Sequence, residues 1–216
     1  MTPLGRLLVC FPAIHAGAIV ASAGFFAAAP SLVGVLVVGA AVYALPLVTF
    51  RALHRWRPLR EGRSRLDAPV YSPWWASHQC QALFIALPQL ESLLQLVPGC
   101  FSLWLRLWGS RVGRAVYWTP RVEIADRSLL EVGDRVVVGH KVEIYAHVVR
   151  PTRAGLVLHV RRIVIGRDVF VGAGTRIGPG VRIADGVHVP LLSDLYPHSR
   201  LEPAARHARR PARLAS

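Results

Sequence analysis

The side chain best suited to proton transfer in this 216-residue sequence is His147. It stands in Ile144-Tyr145-Ala146-His147-Val148-Val149, one unit of a pattern that returns an aliphatic residue every six positions. With positions 144 and 148 turned inward, His147 falls at a corner and faces out. The one sizeable interruption of the pattern follows directly. A loop, Val149-Arg150-Pro151-Thr152-Arg153-Ala154-Gly155, is therefore expected beside the imidazole as one wall of a cleft. Imidazole titrates near neutral pH and can take a proton from a hydroxyl or amine. No cysteine or serine nucleophile is evident beside it, so the chemistry expected is direct transfer. His140, which points outward, and His159, where the pattern rejoins in an ambiguous register, are its rivals.

A second set of residues could hold a ligand. Gly172-Ala173-Gly174 and Gly178-Pro179-Gly180 are runs of small residues that let a ligand approach the backbone closely. Tight turns would call for the same glycines. Arg176 and Arg182, six apart, are expected to stack on one outer edge, facing either an anionic group or solvent.

These candidates hang on a repeat that runs from Val132 to Pro190. Its aliphatic positions are Val132, Val138 and Ile144, then Ile165, Val171, Ile177, Ile183 and Val189, with Gly following at 133, 139, 166, 172 and 178. Neither the 3.6-residue period of a helix nor the two-residue period of a strand keeps a six-residue beat, whereas a parallel β-helix does. The repeat resembles the hexapeptide-repeat acyltransferase family. That resemblance implies a mainly β chain, built on a left-handed parallel β-helix with three short strands per coil of about 18 residues. The pattern breaks twice. Ile124 to Val132 is eight positions, so two extra residues bulge near Asp126-Arg127-Ser128. Ile144 to Ile165 is 21 positions, taken as one full coil with about three residues inserted between His147 and Leu158.

The resemblance also implies a site. In the family a histidine just before the extended loop is the general base, and His147 matches that placement. Acyl-CoA, acetyl-CoA first, would be the co-substrate, with its arm in a groove along the coils. That assigns cofactor binding to Gly172, Ala173, Gly174 and Gly178, and the coenzyme's phosphates to Arg176 and Arg182. Family members are commonly trimers, which implies a homotrimer. The γ-class carbonic anhydrases, with three zinc-binding histidines on the same fold, are a poorer likeness. Gly139-His140 fits their pattern, but the position five further on is Tyr145, which removes a ligand from a site that needs three. No metal is expected.

Composition places this domain at a membrane. The net charge of +14 is almost wholly arginine, Lys141 being the only lysine, and the arginines are scattered instead of striped on a nucleic-acid-binding module. Cys10, Cys80 and Cys100 are odd in number and far apart, which argues against a disulfide framework or zinc ribbon. From Leu7 to Phe50 there are 44 residues without Asp, Glu, Lys or Arg, enough for two crossings of ~20 residues each. A helical hairpin turning at Pro30 is expected, a cleaved signal peptide ending near Ala21-Ser22-Ala23 being the alternative. His15 should be neutral and bonded to the partner helix. The arginines at 51, 55, 57, 60, 63 and 65 mark the cytoplasmic side, of a bacterial inner membrane in this reading, and suit lipid headgroups.

The expected organisation is a transmembrane hairpin (1–50), a basic linker (51–72), tryptophan-rich interfacial or capping helices (73–116), the β-helix (117–190) and a basic disordered tail (191–216). Function then divides two ways. One is a membrane-anchored O- or N-acyltransferase acting on a cell-envelope or small-molecule acceptor. The other is a non-catalytic β-helix scaffold in an envelope-assembly complex, to which Tyr145 and the weak last coils lend credit. A fainter resemblance, to the membrane portions of some peptide-synthetase-like enzymes, would make the chain part of a larger enzyme.

Overall fold

The structure, a computed structural model, describes residues 2–153 and 155–203. It opens with a short helix α1 (Pro3–Val9) and then α2 (Phe11–Ala28). Pro30 ends that run, and Ser31 caps the next by accepting a hydrogen bond from the Gly34 N–H at 3.1 Å. There α3 (Leu32–Gly39) passes through one wide π-helical turn (Ala40–Ala44) into α4 (Leu45–Trp56). Phe11–Ala28 and the continuous helix Leu32–Trp56 are each long and apolar enough to cross a membrane. Their outward side chains are bare hydrocarbon, Val20 at 72% and Leu32 at 75% exposed, which supports membrane association.

One polar contact locks the hairpin. Pro46 has no N–H to give to the carbonyl of Val42 four residues earlier. The Nε2 of buried His15 on α2 donates to that carbonyl at 3.1 Å instead. A carbonyl can only accept, so Nε2 carries the hydrogen.

Three further helices follow: α5 (Pro73–Ala86), α6 (Gln89–Gln95) and α7 (Cys100–Trp108). Trp74, Trp104, Trp108 and Trp118 are buried, because they fill the space between these helices, α4 and the first coil. Phe50 of α4 lies 4.9 Å from Trp108 of α7, and Tyr43 donates to the Leu90 carbonyl at 2.8 Å. Apolar hairpin, helices and coil therefore share one continuous core.

The rest of the described chain winds through three parallel sheets. The first face stacks Arg111–Val112, Leu130–Val132, Ile163–Ile165, Arg182–Ile183 and Arg200–Leu201. The second stacks Tyr117–Trp118, Val137–Val138, Phe170–Val171 and His188–Val189, and the third stacks Glu123–Ile124, Glu143–Ile144, Arg176–Ile177 and Asp194–Leu195. The ladder thus extends beyond 117–190 at both ends. Leu195 and Leu201 keep the six-residue beat after Val189 but are only half-buried. Residues 204–216 of the expected tail lie outside the described residues. Helices hold more residues than strands, so the chain is not mainly β. Most strands are two residues long because the corners take the remainder of each hexad.

The corners account for the sequence signature. A left-handed backbone recurs every six residues along much of the coil, for instance at Arg135, Lys141, Asp168, Gly174, Gly180, Gly186, Leu192 and His198. Such a conformation costs an L-residue ~1 kcal/mol, and Gly almost nothing. The glycine after each aliphatic has a different cause. A Cβ on Gly172 would lie 2.6 Å from the Leu191 backbone of the next coil, so coil stacking itself excludes a side chain there.

The large break is bigger than 18 plus three. Ile144 lies on the third face and Ile165 on the first, the very next face, where a regular step takes six residues. The 21 positions between them therefore hold 15 extra residues. They form an antiparallel hairpin, His147–Thr152 with Gly155–Val160. Gly62–Arg65, from the expected linker, adds a third strand by pairing with Gly155–Val160.

Candidate functional site

Both breaks in the repeat fall at the same corner, between the third and first faces, one coil apart. The two-residue bulge buries Asp126 and Arg127, and the hairpin starts at His147 directly alongside. Three hydrogen bonds converge on the Asp126 side chain. Its Oδ2 accepts from His147 Nδ1 at 2.7 Å and from the Ala146 N–H at 2.9 Å, and its Oδ1 accepts from Trp74 Nε1 at 3.0 Å. Facing a carboxylate, Nδ1 carries hydrogen, so the neutral ring leaves its lone pair on Nε2. The His147 side chain is 18% exposed and Asp126 3%. A base open to a reactant and oriented by a buried acid is the arrangement proton abstraction needs.

Aromatic rings hold the imidazole in place. Trp74 lies 4.6 Å from His147 and 5.0 Å from His78, and the two histidine rings are 5.9 Å apart. Burial, and after it the neighbouring His147, pushes His78 below its ordinary pKa of 6.5. Its Nδ1 has no partner among the described residues.

The bulge is anchored from below. The buried Arg127 guanidinium gives two bonds to Glu91 of α6, each 2.5 Å, and the Arg127 backbone N–H donates to Gln81 Oε1 of α5 at 2.8 Å. Glu91 also accepts from Trp104 Nε1 at 2.7 Å. The capping helices therefore hold the corner that carries Asp126.

Beside the hairpin lies a cleft of ≈ 770 Å³ between residues 56–64, Tyr71–Trp74 and the strand Gly155–Val160. His147 is not in its lining, but two neighbours are: Trp74, and Val160, which faces His147 across the hairpin. Around the same corner is a basic basin of ≈ 260 Å³ that includes Arg161, Arg162, Arg182, Arg200, His198 and Glu61.

The predicted ligand residues do not converge on one edge. A six-residue step moves to the next face, so Arg176 lies on the third face and Arg182 on the first. Residues 18 apart are the ones that stack, as Arg182 does on Arg200. Arg176 is tied to Asp194 by two bonds of 2.6 and 2.8 Å, while Arg182 lines the basin. Gly172, Ala173 and Gly174 turn the corner between the second and third faces, and Gly178 opens the corner that His147 occupies one coil earlier. His140 lies at the second-to-third corner, where its Nδ1 is 2.9 Å from the Pro120 carbonyl, and His159 bonds His198 at 2.9 Å. Among the described residues no three His, Cys, Asp or Glu side chains come together as metal ligands.

Asp126, Trp74 and His78 were not singled out from the sequence. The available signal was the position of the two breaks, which share a corner once the coil is wound correctly.

No protein-family profile matches the chain, and no curated protein matches it significantly. Solved structures similar to this chain include a hexapeptide-repeat-containing acetyltransferase from Vibrio cholerae, at 19% identity over 53% of this chain and 84% of that one, with a TM-score of 0.39. The same enzyme from the El Tor biovar, complexed with acetyl coenzyme A, aligns at 18% identity over 58% and 84%, with a TM-score of 0.35. A galactoside acetyltransferase in complex with coenzyme A aligns at 15% identity over 51% and 72%, with a TM-score of 0.32.

Proposed function

We propose that this chain is a membrane-anchored acyltransferase. It moves an acyl group, an acetyl group first, from acyl-CoA to a hydroxyl or amine of a cell-envelope or small-molecule acceptor at the cytoplasmic face of a bacterial inner membrane. The observation that carries this reading is the His147–Asp126 pair, set where an inserted hairpin rises from a hexapeptide coil. The coil is left-handed and the assembly trimeric in this reading.

The acceptor's proton passes to Nε2 of His147, and its oxygen or nitrogen bonds to the thioester carbonyl carbon. Collapse of the tetrahedral adduct breaks the carbon–sulfur bond. The departing thiolate takes the proton back from His147, releasing free CoA. Asp126 keeps the lone pair on Nε2 and stabilises the imidazolium formed midway. The basin around Arg182, Arg161 and Arg200 supplies guanidinium groups suited to the coenzyme's phosphates.

Free-thiol release from acetyl-CoA by the full chain in detergent, across a panel of hydroxyl and amine acceptors, tests the assignment. His147→Ala should lower the rate by ~10²–10⁴-fold, the usual contribution of a general base. Equal rates for wild type and variant would sink the catalytic role. Absence of CoA binding by calorimetry, with a partner protein co-purifying, would leave a scaffold.

A further inference from the structure

The ≈ 770 Å³ cleft beside the hairpin differs from the basic basin in position and lining. Its near wall begins at Trp56, the last residue of the helix long enough to cross a membrane. Trp56, 56% exposed, stands at the mouth with the Arg57 guanidinium 5.5 Å over its ring and Tyr71 5.2 Å away. Arg57, Arg60 and Arg63 all line the cleft, are exposed, and have no carboxylate partner among the described residues. The one acid in the lining, Glu61, is engaged outside it. Its carboxylate lies 3.5 Å from Arg162 and accepts the Arg162 N–H at 3.1 Å. The cleft therefore keeps its positive charge. The buried hydroxyl of Tyr71, whose residue also lines the cleft, has no hydrogen-bond partner among the described residues.

Three arginines with no carboxylate partner among the described residues, one of them over the Trp56 ring, at the end of a helix long enough to cross a membrane, suit a phosphate whose carrier remains in the bilayer. Arginine is matched to phosphate by its fork of donors, and tryptophan to the interface by its amphipathic ring. The far wall of the cleft is Trp74 and Val160, the two residues against His147. We infer that this cleft is the acceptor site, and that the acceptor is a phosphate-bearing lipid whose head group enters past Trp56 towards His147. Its role as acceptor rests on the acyl-transfer reading; the binding itself does not.

Full-chain protein in neutral detergent, titrated with fluorescent short-chain phosphatidic acid, phosphatidylcholine and glycerol 3-phosphate, tests this inference. Phosphatidic acid should bind about tenfold or more tightly than the other two, and Arg60→Gln/Arg63→Gln should lose about tenfold or more of that affinity. Arg6→Gln, at the other flank of the hairpin, should stay within about twofold. His147→Ala should bind as wild type does, which separates binding from transfer. Absence of thiol release by the wild-type chain, with phosphatidic acid binding intact, would overturn only the enzymatic reading. Unchanged phosphatidic acid affinity in Arg60→Gln/Arg63→Gln would overturn the cleft, and so would equal binding of phosphatidylcholine. Equal competition by glycerol 3-phosphate would overturn the lipid and leave a soluble phosphate ester as the ligand.

Discussion

The regular corners of the coil and the broken one use the same residue types in opposite ways. At the regular corners and on the third face, charges pair in the open across neighbouring coils: Arg135 with Asp168, Arg167 with Asp185, Arg176 with Asp194. Each pair is self-sufficient, and each partner is bathed in water. At the broken corner the bulge and the hairpin bury Asp126 and Arg127 and bind them to groups far away in sequence, Trp74, Glu91 and His147. Exposed pairs of the first kind contribute little to stability, whereas a buried pair is costly to break. A solenoid that repeats perfectly has no place for a distinctive site, and here the interruptions supply one.

If that contrast holds, the largest effect belongs to the buried pair. Glu91→Ala strands the Arg127 guanidinium in the interior and should destabilise the fold by about 3–5 kcal/mol, as read from denaturation in detergent. Glu91→Leu/Arg127→Met, which removes both charges, should cost distinctly less. If the double variant were no better than the single one, the pair would matter through shape and not through charge.

Next comes Asp126→Asn. It keeps the shape of the carboxylate but can hand the imidazole the wrong hydrogen, so thiol release should fall by ~10²-fold or more with the fold retained. A fall in melting temperature with no loss of rate per folded molecule would make Asp126 purely structural.

A smaller effect is expected from His78. Its folded pKa is below the 6.5 of an unfolded chain, so the unfolded state binds more protons as the pH drops below 6.5, and folding stability is lost in that window. His78→Gln should flatten the stability profile between about pH 7 and about pH 5. An unchanged slope would mean that the buried ring is not the source. Smallest of all, Arg176→Ala should leave the melting temperature unchanged within error, since both it and Asp194 are well exposed. A clear drop would erase the difference between the two kinds of corner.

The six-residue beat made the coil legible, because inward aliphatic residues and stacking-imposed glycines recur whatever the surroundings. The same beat hid the size of the insertion. A spacing of 21 fits a full coil with three added residues as well as a single step with 15, and periodicity cannot separate them; only the face on which Ile165 lands does. His147 was legible because it precedes that break. Asp126 was not, since its partners are 21 and 52 residues away and meet it only once the coil is wound. The tryptophan-rich stretch was open to two readings, a membrane interface and a cap, because composition suits both; the burial of Trp74, Trp104, Trp108 and Trp118 is decided by packing against the helices and the first coil. Leu195 and Leu201 kept the pattern past Pro190 but stood beside a basic tail.

A structure of the full chain with bound CoA tests the central claim most directly. The account predicts the sulfur at the broken corner, facing Nε2 of His147 with room for an acceptor hydroxyl or amine between them. Sulfur lodged instead at a regular corner, against Gly172–Gly174 and His140, would contradict it.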